Sequence, residues 1–241
     1  MKVLKIRKRK RPIISVIVPT YQEEKYIEPT LIAISNQTLK RSKYEIIVCD
    51  ANSKDRTVEI AKKYADKIII TNKRGIAIGR NLGAKYAKGK YLIFIDADTI
   101  ILPQTLERII KEFSDCNCII PKTLPTNSSS FFIFIYFFYN LFLSFFSMLK
   151  FYQAGGYFIG VERKIFRKIG GFDENLETCE DLDFLKRVSK IGKIKLINLP
   201  VITSTRRFEK EGKVKLTLKY ILFFLLFQIF GISAKGYKPI R

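Results

Sequence analysis

Strand and helix signals alternate along this chain up to residue 95, and that alternation constrains its fold more than any other feature. Apolar, largely β-branched runs at residues 13–18, 44–49, 67–71 and 91–95 have the composition of buried strands. Between them, residues 23–35, 57–64 and 76–87 carry helical patterns, with Ile27, Leu31 and Ile34 in the first and Ala77, Leu82 and Ala84 in the third. Repeated units of this kind form a mostly parallel central sheet with helices on its faces. A length of 241 residues suits one α/β domain of that type and leaves little room for a second. Ligands of such sheets bind beyond the carboxyl ends of the strands. Here those ends carry Thr20 and Tyr21, then Asp50, then Asp96 and Asp98, so three strand ends converge on one polar crevice.

Asp96 and Asp98 flank Ala97 directly after Tyr91-Leu92-Ile93-Phe94-Ile95, a run of strong strand formers. Side chains two apart in a strand point the same way, so both carboxylates can face one ligand. Two like charges that close are costly without a cation, which Mg²⁺ or Mn²⁺ with a bridging diphosphate would supply. The competing explanation is a helix N-cap, because Asp98 or Thr99 stands just ahead of Pro103-Gln104-Thr105. A second acidic group, Glu180-Asp181-Leu182-Asp183, lies near the start of a helix predicted over residues 177–191. The helix dipole favours acids there, but three acids in four residues exceed what capping requires, which frees one to act as a general base. The chain has no His, so proton abstraction near neutral pH falls to a carboxylate, Lys, Tyr or Cys. Cys49, Cys116, Cys118 and Cys179 lack the spacing of a zinc site and are expected as buried or incidental thiols of a reducing compartment.

Taken in order, these segments resemble the family 2 inverting glycosyltransferases, whose nucleotide-sugar-binding fold is of the GT-A type. The resemblance covers residues 13–208 apart from an apolar insertion at 131–149. Val16-Ile17-Val18-Pro19-Thr20-Tyr21-Gln22-Glu23-Glu24 is similar to the family's opening strand and nucleotide-binding turn. That likeness implies that Pro19, Thr20, Tyr21 and Glu23 lie around the base and ribose. Asp50, in Cys49-Asp50-Ala51-Asn52-Ser53-Lys54-Asp55, would contact the nucleobase. Ala51 stands where the family often has a second Asp, which leaves uracil or guanine open. Arg74, at the head of the Arg74-Gly75-Ile76-Ala77-Ile78-Gly79-Arg80-Asn81-Leu82-Gly83 segment, would lie near the diphosphate. Asp96-Ala97-Asp98 matches the metal motif, with Asp98 on the ion and Asp96 on the ion or the donor. Gly155-Gly156, Gly170-Gly171-Phe172-Asp173-Glu174 and Glu180-Asp181 match the acceptor half. The resemblance therefore implies that Gly155, Gly156 and Glu180 bind the acceptor and that Asp181 is the catalytic base. Thr205-Arg206-Arg207-Phe208 stands where some members have Gln-x-x-Arg-Trp, so only Arg206 or Arg207 carries over, as a diphosphate contact.

Residues 131–149 hold no formal charge and are long enough by hydropathy for a membrane span. A single crossing would put Asp98 and Asp181 on opposite sides of the bilayer, whereas the implied chemistry needs both in one pocket. A second apolar run, residues 220–234, comes too late to bring Asp181 back. The expectation is a helix lying in the interface or dipping into it, with Asn140 and the serines helping; the alternative is a buried core helix or an oligomer interface. Basic residues flank the second run (Lys213, Lys215 and Lys219 before, Lys235 and Lys238 after). The formal net charge is +22, which suits nucleic acid, an anionic membrane or a phosphate-bearing substrate. The aromatics separate these cases: many Phe residues sit in the two apolar runs, apart from the basic residues, and a nucleic-acid stacking surface would interleave the two. The basic run at residues 2–11 leads into Pro12 and a strand, not into the apolar core of a secretory signal. It is either a disordered arm or one held on anionic lipid.

The expected organisation is a basic arm (1–12), a nucleotide-sugar-binding half (13–125), an apolar interfacial insertion (126–150), a half for acceptor and catalytic base (151–210) and an apolar membrane-associated segment (211–241). The expected partners are a UDP- or GDP-linked sugar donor, a glycan or glycolipid acceptor and an anionic membrane surface, with no nucleic acid. The catalytic domain is expected on the cytoplasmic side, in cell-surface glycan synthesis. Two alternatives remain: a polyprenyl-phosphate glycosyltransferase, which needs no general base, and a non-catalytic membrane-bound scaffold of the same fold.

Overall fold

The computed structural model describes residues 1–7, 11–149, 152, 155–231 and 233. In chain order the strands are β1 (Lys2–Lys5), β2 (Ile14–Thr20), β3 (Tyr44–Asp50), β4 (Lys67–Ile70), β5 (Tyr91–Ile95), β6 (Thr99–Ile101), β7 (Cys118–Pro125), β8 (Phe158–Glu162) and β9 (Ile194–Thr203). The helices are α1 (Ile27–Ser35), α2 (Thr57–Tyr64), α3 (Ile76–Tyr86), α4 (Thr105–Glu112), α5 (Ser130–Met148), α6 (Arg163–Lys168), α7 (Glu180–Ser189), α8 (Arg206–Glu211) and α9 (Lys213–Phe230).

One sheet runs in the order β1-β4-β3-β2-β5-β8-β7-β9-β6. Its parallel block, β4-β3-β2-β5, is the part that the alternating pattern predicts. Beyond β5 the sheet is mixed: β8 is antiparallel to β5 and β7, β7 is parallel to β9, and β6 closes the edge antiparallel to β9. The class is therefore the expected α/β sheet flanked by helices, with its parallel character concentrated in the first half.

Alternation along β2 feeds two cores. Ile14, Val16 and Val18 pack with Ile27, Leu31 and Ile34 of α1 and with parts of α2 and α4. Ile17 packs on the other face with α3, α6 and α7. Each fully buried side chain of this size stabilises by about 1.5–3 kcal/mol. α3 rests directly on β2 because two of its residues are glycines. A Cβ on Gly83 would collide with Ile17, and one on Gly79 would come within 2.9 Å of Pro19 Cβ.

The first residues are not a free arm. β1 pairs antiparallel with β4, and Val3 and Leu4 pack against opposite faces of the sheet. Arg7 anchors the end of this strand by donating to the carbonyls of Ala65 (3.1 Å) and Lys63 (2.8 Å). An open edge at β4 is covered in this way. Lys8, Arg9 and Lys10 of the expected arm, and Lys235 and Lys238 of the C-terminal flank, lie outside the described residues.

α5 lies along the sheet. The Asn140 amide accepts from Thr123 N–H (2.9 Å) and donates to Thr123 C=O (2.7 Å), pairing the β7 backbone as a neighbouring strand would. The contact falls where the β7–β9 register shifts between Pro121 and Thr123. α5 and α9 meet through Phe142 and Phe224 (ring centroids 5.6 Å apart), and Phe208 of α8 packs on Phe132 and Tyr220. The outer faces stay apolar and exposed, with Phe134, Phe137, Leu141 and Phe145 on α5 and Leu218, Ile221, Leu222 and Leu225 on α9. α5 is the one described helix long and apolar enough to cross a membrane, and α9 begins at Lys213, ahead of the apolar run expected there.

Candidate active site

The carboxyl ends of β2, β3 and β5 open side by side, as parallel pairing with this register requires. The loops after β2 and β3 are laced together: Gln22 N–H donates to the Ser53 hydroxyl (2.7 Å) and Glu23 N–H to Thr57 Oγ1 (2.8 Å). Asp50 is buried and accepts from the N–H (2.8 Å) and hydroxyl (2.6 Å) of Ser53. Burial raises its pKa above the ordinary carboxylate range, against those two bonds. The Arg74 guanidinium stacks over the Tyr21 ring at 4.5 Å. The buried hydroxyl of Thr20 has no partner among the described residues.

Two arginines organise the acids. Arg80, on α3 between the two close-packed glycines, is fully buried. Its guanidinium donates to Asp96 Oδ1 (3.1 Å), Glu180 Oε1 (2.8 Å) and Gly156 C=O (2.7 Å). One side chain thus ties the strand-end acid of the first half to the acidic helix of the second. Arg206, at the start of α8, forks onto Glu23 (2.7 and 3.0 Å), reaches Asp98 through Nε (3.0 Å) and stacks on Tyr26 at 4.3 Å. Arg207 pairs instead with Glu211 in its own helix (2.8 Å), although its charge also acts on Asp98.

Asp181 sits in the first turn of α7, beside Gly156. Gly156 has φ of +72°, and a Cβ there would stand 3.3 Å from both Asp181 Oδ2 and Arg80 Nη2, so this position admits no side chain without strain. A Cβ on the neighbouring Gly155 would collide with the Tyr157 ring. Cys179, immediately before the acids, holds φ of 62°, a left-handed conformation that is uncommon for a non-glycine residue. Such strain is found where surrounding structure must aim a functional group.

Desolvation in the crevice pushes Asp181 up to about 8, with the charge of Glu180 adding and that of Arg80 opposing. It pushes Asp96 up to about 7, against Arg80 and with Asp98 adding. Asp98 is also raised by burial, against Arg206. The carboxylates are therefore short of positive charge even with both arginines in place. Hard oxygen donors in that condition fit a divalent cation. No group of three or more His, Cys, Asp or Glu among the described residues is placed to hold a metal, so an ion here would need oxygens from a bound diphosphate.

Of the residues singled out from sequence, Thr20, Tyr21, Glu23, Asp50, Asp96, Ala97 and Asp98 stand at the strand ends or in the loops leaving them, and Gly156, Glu180 and Asp181 meet them from the other half. Ala97 is buried, its carbonyl held by the Thr30 hydroxyl at 2.9 Å. Pro19 is not a strand terminator, since β2 runs through it to Thr20. Neither does Asp98 or Thr99 cap a helix: Thr99 begins β6, and α4 starts only at Thr105. Arg80 was missed. Its available signal was a basic residue set between two glycines of one helix, in Gly79-Arg80-Asn81-Leu82-Gly83.

Comparison with known proteins gives the family and the fold. The sequence pattern of "Glycosyl transferase family 2" matches residues 15–170. The chain belongs to that family. It is 37% identical over 99 residues to the poly(ribitol-phosphate) beta-N-acetylglucosaminyltransferase TarS of Staphylococcus aureus, a match covering 39% of this chain and 17% of TarS. It is 29% identical over 184 residues to an uncharacterized glycosyltransferase of Haemophilus influenzae, covering 73% of this chain and 62% of that protein. Among solved structures, a mannosyltransferase from Pyrobaculum calidifontis in complex with GDP-Man and Mn²⁺ superposes with a TM-score of 0.65 at 23% identity, covering 81% of this chain and 57% of that one. S. aureus TarS 1-349 in complex with UDP-GlcNAc gives 0.63 at 23% identity, covering 80% and 58%. This chain thus spans about a sixth of the TarS sequence it matches (17%).

Proposed function

We propose that this chain is an inverting glycosyltransferase that moves a sugar from a UDP- or GDP-linked donor to a hydroxyl acceptor. The observation that carries it is the Arg80 bridge, which puts Asp96 of the donor half and Glu180, next to Asp181, of the acceptor half in one crevice. The base and ribose lie at Pro19, Thr20, Tyr21, Glu23 and Asp50, and Arg74 and Arg206 supply positive charge toward the diphosphate. Asp98, with Asp96, holds Mg²⁺ or Mn²⁺. When bound, the ion neutralises charge developing on the leaving diphosphate. Asp181 takes the proton of the acceptor hydroxyl as it attacks the anomeric carbon; a carboxylate raised to about 8 is a stronger base than an ordinary one, once ionised. Related proteins named for UDP-GlcNAc, GDP-Man and Mn²⁺ complexes support the donor and the metal.

The acceptor is a glycan or lipid-linked glycan at a cytoplasmic membrane face. The exposed apolar faces of α5 and α9 and the net charge of +22 support attachment to anionic lipid. A relative named for poly(ribitol-phosphate) supports a hydroxyl-bearing polymer as acceptor.

Asp181→Asn should keep nucleotide-sugar binding and lose transfer by about 10²–10⁴-fold. Turnover retained in that variant would remove Asp181 from the role of base. The protein should also sediment with vesicles containing anionic lipid, and full solubility in high salt without detergent would count against attachment.

A further inference from the structure

We infer that Arg206 closes the metal position at Asp98 while no donor is bound, and releases it when a nucleotide diphosphate offers the guanidinium another partner. This rests on Asp98 being a metal carboxylate, as proposed above, and adds an order of binding to it.

Three observations converge on the same side chain. First, Arg206 Nε stands 3.0 Å from Asp98 Oδ2, a direct ion pair with the carboxylate assigned to the ion. Second, the rest of the guanidinium is held on the turn after β2: Nη1 and Nη2 each give one proton to Glu23, at 2.7 and 3.0 Å, and its plane stacks on Tyr26 at 4.3 Å. Third, Glu23 and Tyr26 belong to the turn that leaves β2 at the crevice, whereas Arg206 comes from the far end of the chain. The arginine therefore spans the crevice, between the turn that receives the nucleotide and the carboxylate that receives the ion.

Charge then sets the order. A divalent cation arriving alone at Asp98 would meet a fixed guanidinium within an ion pair's length, and like charges that close repel strongly in a partly desolvated site. A diphosphate changes this in two ways. It brings negative charge that offsets the repulsion, and its oxygens can accept from Arg206 Nε–H in place of Asp98. Arg206 can then leave Asp98 without losing that charge-assisted hydrogen bond, while its fork stays on Glu23. The expected consequence is that metal and nucleotide bind together tightly and metal alone binds weakly.

The test is Mn²⁺ binding to the full chain, read by calorimetry or by the spin-resonance signal of the free ion, with and without UDP or GDP. Without nucleotide, Arg206→Gln should bind Mn²⁺ at least tenfold more tightly than the wild type. Arg206→Lys, which keeps a cation but not the fork, should fall between them and guards against a variant that fails to fold. With UDP or GDP present the gain should disappear or reverse, because Arg206 is then a diphosphate contact. Adding Asp98→Asn to Arg206→Gln should abolish the gain. Equal or weaker Mn²⁺ binding by Arg206→Gln without nucleotide would overturn the inference while leaving the metal assignment intact. Absence of Mn²⁺ binding in every variant, even with nucleotide, would overturn both.

Discussion

The half of the molecule before Asp98 and the half after it reach the same crevice by different routes. In the first, Thr20, Asp50 and Asp96 stand at the ends of parallel strands, and their positions follow from the local alternation of strand and helix. In the second, Gly156, Glu180, Asp181 and Arg206 come from loops and helix starts attached to antiparallel and mixed strands. Their placement depends on two arginines, one per half, that reach across. Arg80 leaves the first half for Glu180 and the Gly156 carbonyl, and Arg206 leaves the second for Glu23. The difference teaches that the polar residues of the first half follow from the parallel sheet itself, whereas those of the second add charged ties, through Arg80 and Arg206, to the strand pairing of β5 with β8.

The sharpest way to break that comparison is to remove the buried bridge. Arg80→Met would leave Asp96 and Glu180 desolvated without their cation, and breaking a buried ion pair in this way typically costs about 3–5 kcal/mol. Urea unfolding should show that loss, and Arg80→Lys should recover part of it. A midpoint unchanged in Arg80→Met would mean that the two halves are not joined through this residue.

A smaller effect is expected at α5. Asn140→Leu removes two hydrogen bonds and leaves the Thr123 N–H and C=O unsatisfied at the β7 bulge, a loss of roughly 1–3 kcal/mol. Hydrogen exchange at Thr123 should accelerate in that variant; unchanged exchange would mean that α5 is held by its aromatic contacts alone. Arg207→Gln should be milder still, because its pair with Glu211 lies within one helix and such pairs contribute about 0.3–0.5 kcal/mol. Nucleotide binding should hardly change in Arg207→Gln and should weaken in Arg206→Gln; the opposite ranking would reassign the diphosphate contact.

The contrast between halves also explains what could be seen in the sequence. The four parallel strands, β2 to β5, were legible because their runs are rich in β-branched apolar residues and helices intervene between them. β7 and β9 were not, since Pro121, Pro125 and Pro200 fall inside them and proline ordinarily argues against a strand. The structure accommodates Pro121 at the register shift with β9. β1 was hidden by its own charge: Lys2 and Lys5 frame only Val3 and Leu4, and the pairing that orders them is with β4, more than sixty residues away. At the site, carboxylates at strand ends were visible as a local pattern. Arg80 was not, because its meaning lies in partners 16, 76 and 100 residues distant.

A further effect, of a different kind, is one of pH. Asp181 at about 8 and Asp96 at about 7 are raised from the ordinary 3.8, so between about pH 4 and 8 the folded chain holds protons that the unfolded chain releases. Their contribution to stability is therefore lost as pH rises through that window. Asp181→Asn, which cannot ionise, should gain in melting temperature over the wild type as pH goes from 5 to 8.5, by about 2–4 °C for each kcal/mol relieved. A gap that stays constant with pH would mean that Asp181 is already ionised throughout.

On the proposed function, Asp96, Asp98 and Asp181 serve one nucleotide sugar bound in the crevice they share. Calorimetric titration with a panel of UDP- and GDP-sugars, in Mg²⁺, in Mn²⁺ and in chelator, addresses that directly. Binding of at least one donor that requires the metal and is lost in Asp98→Ala is the expected result; no binding of any donor in either metal would contradict it.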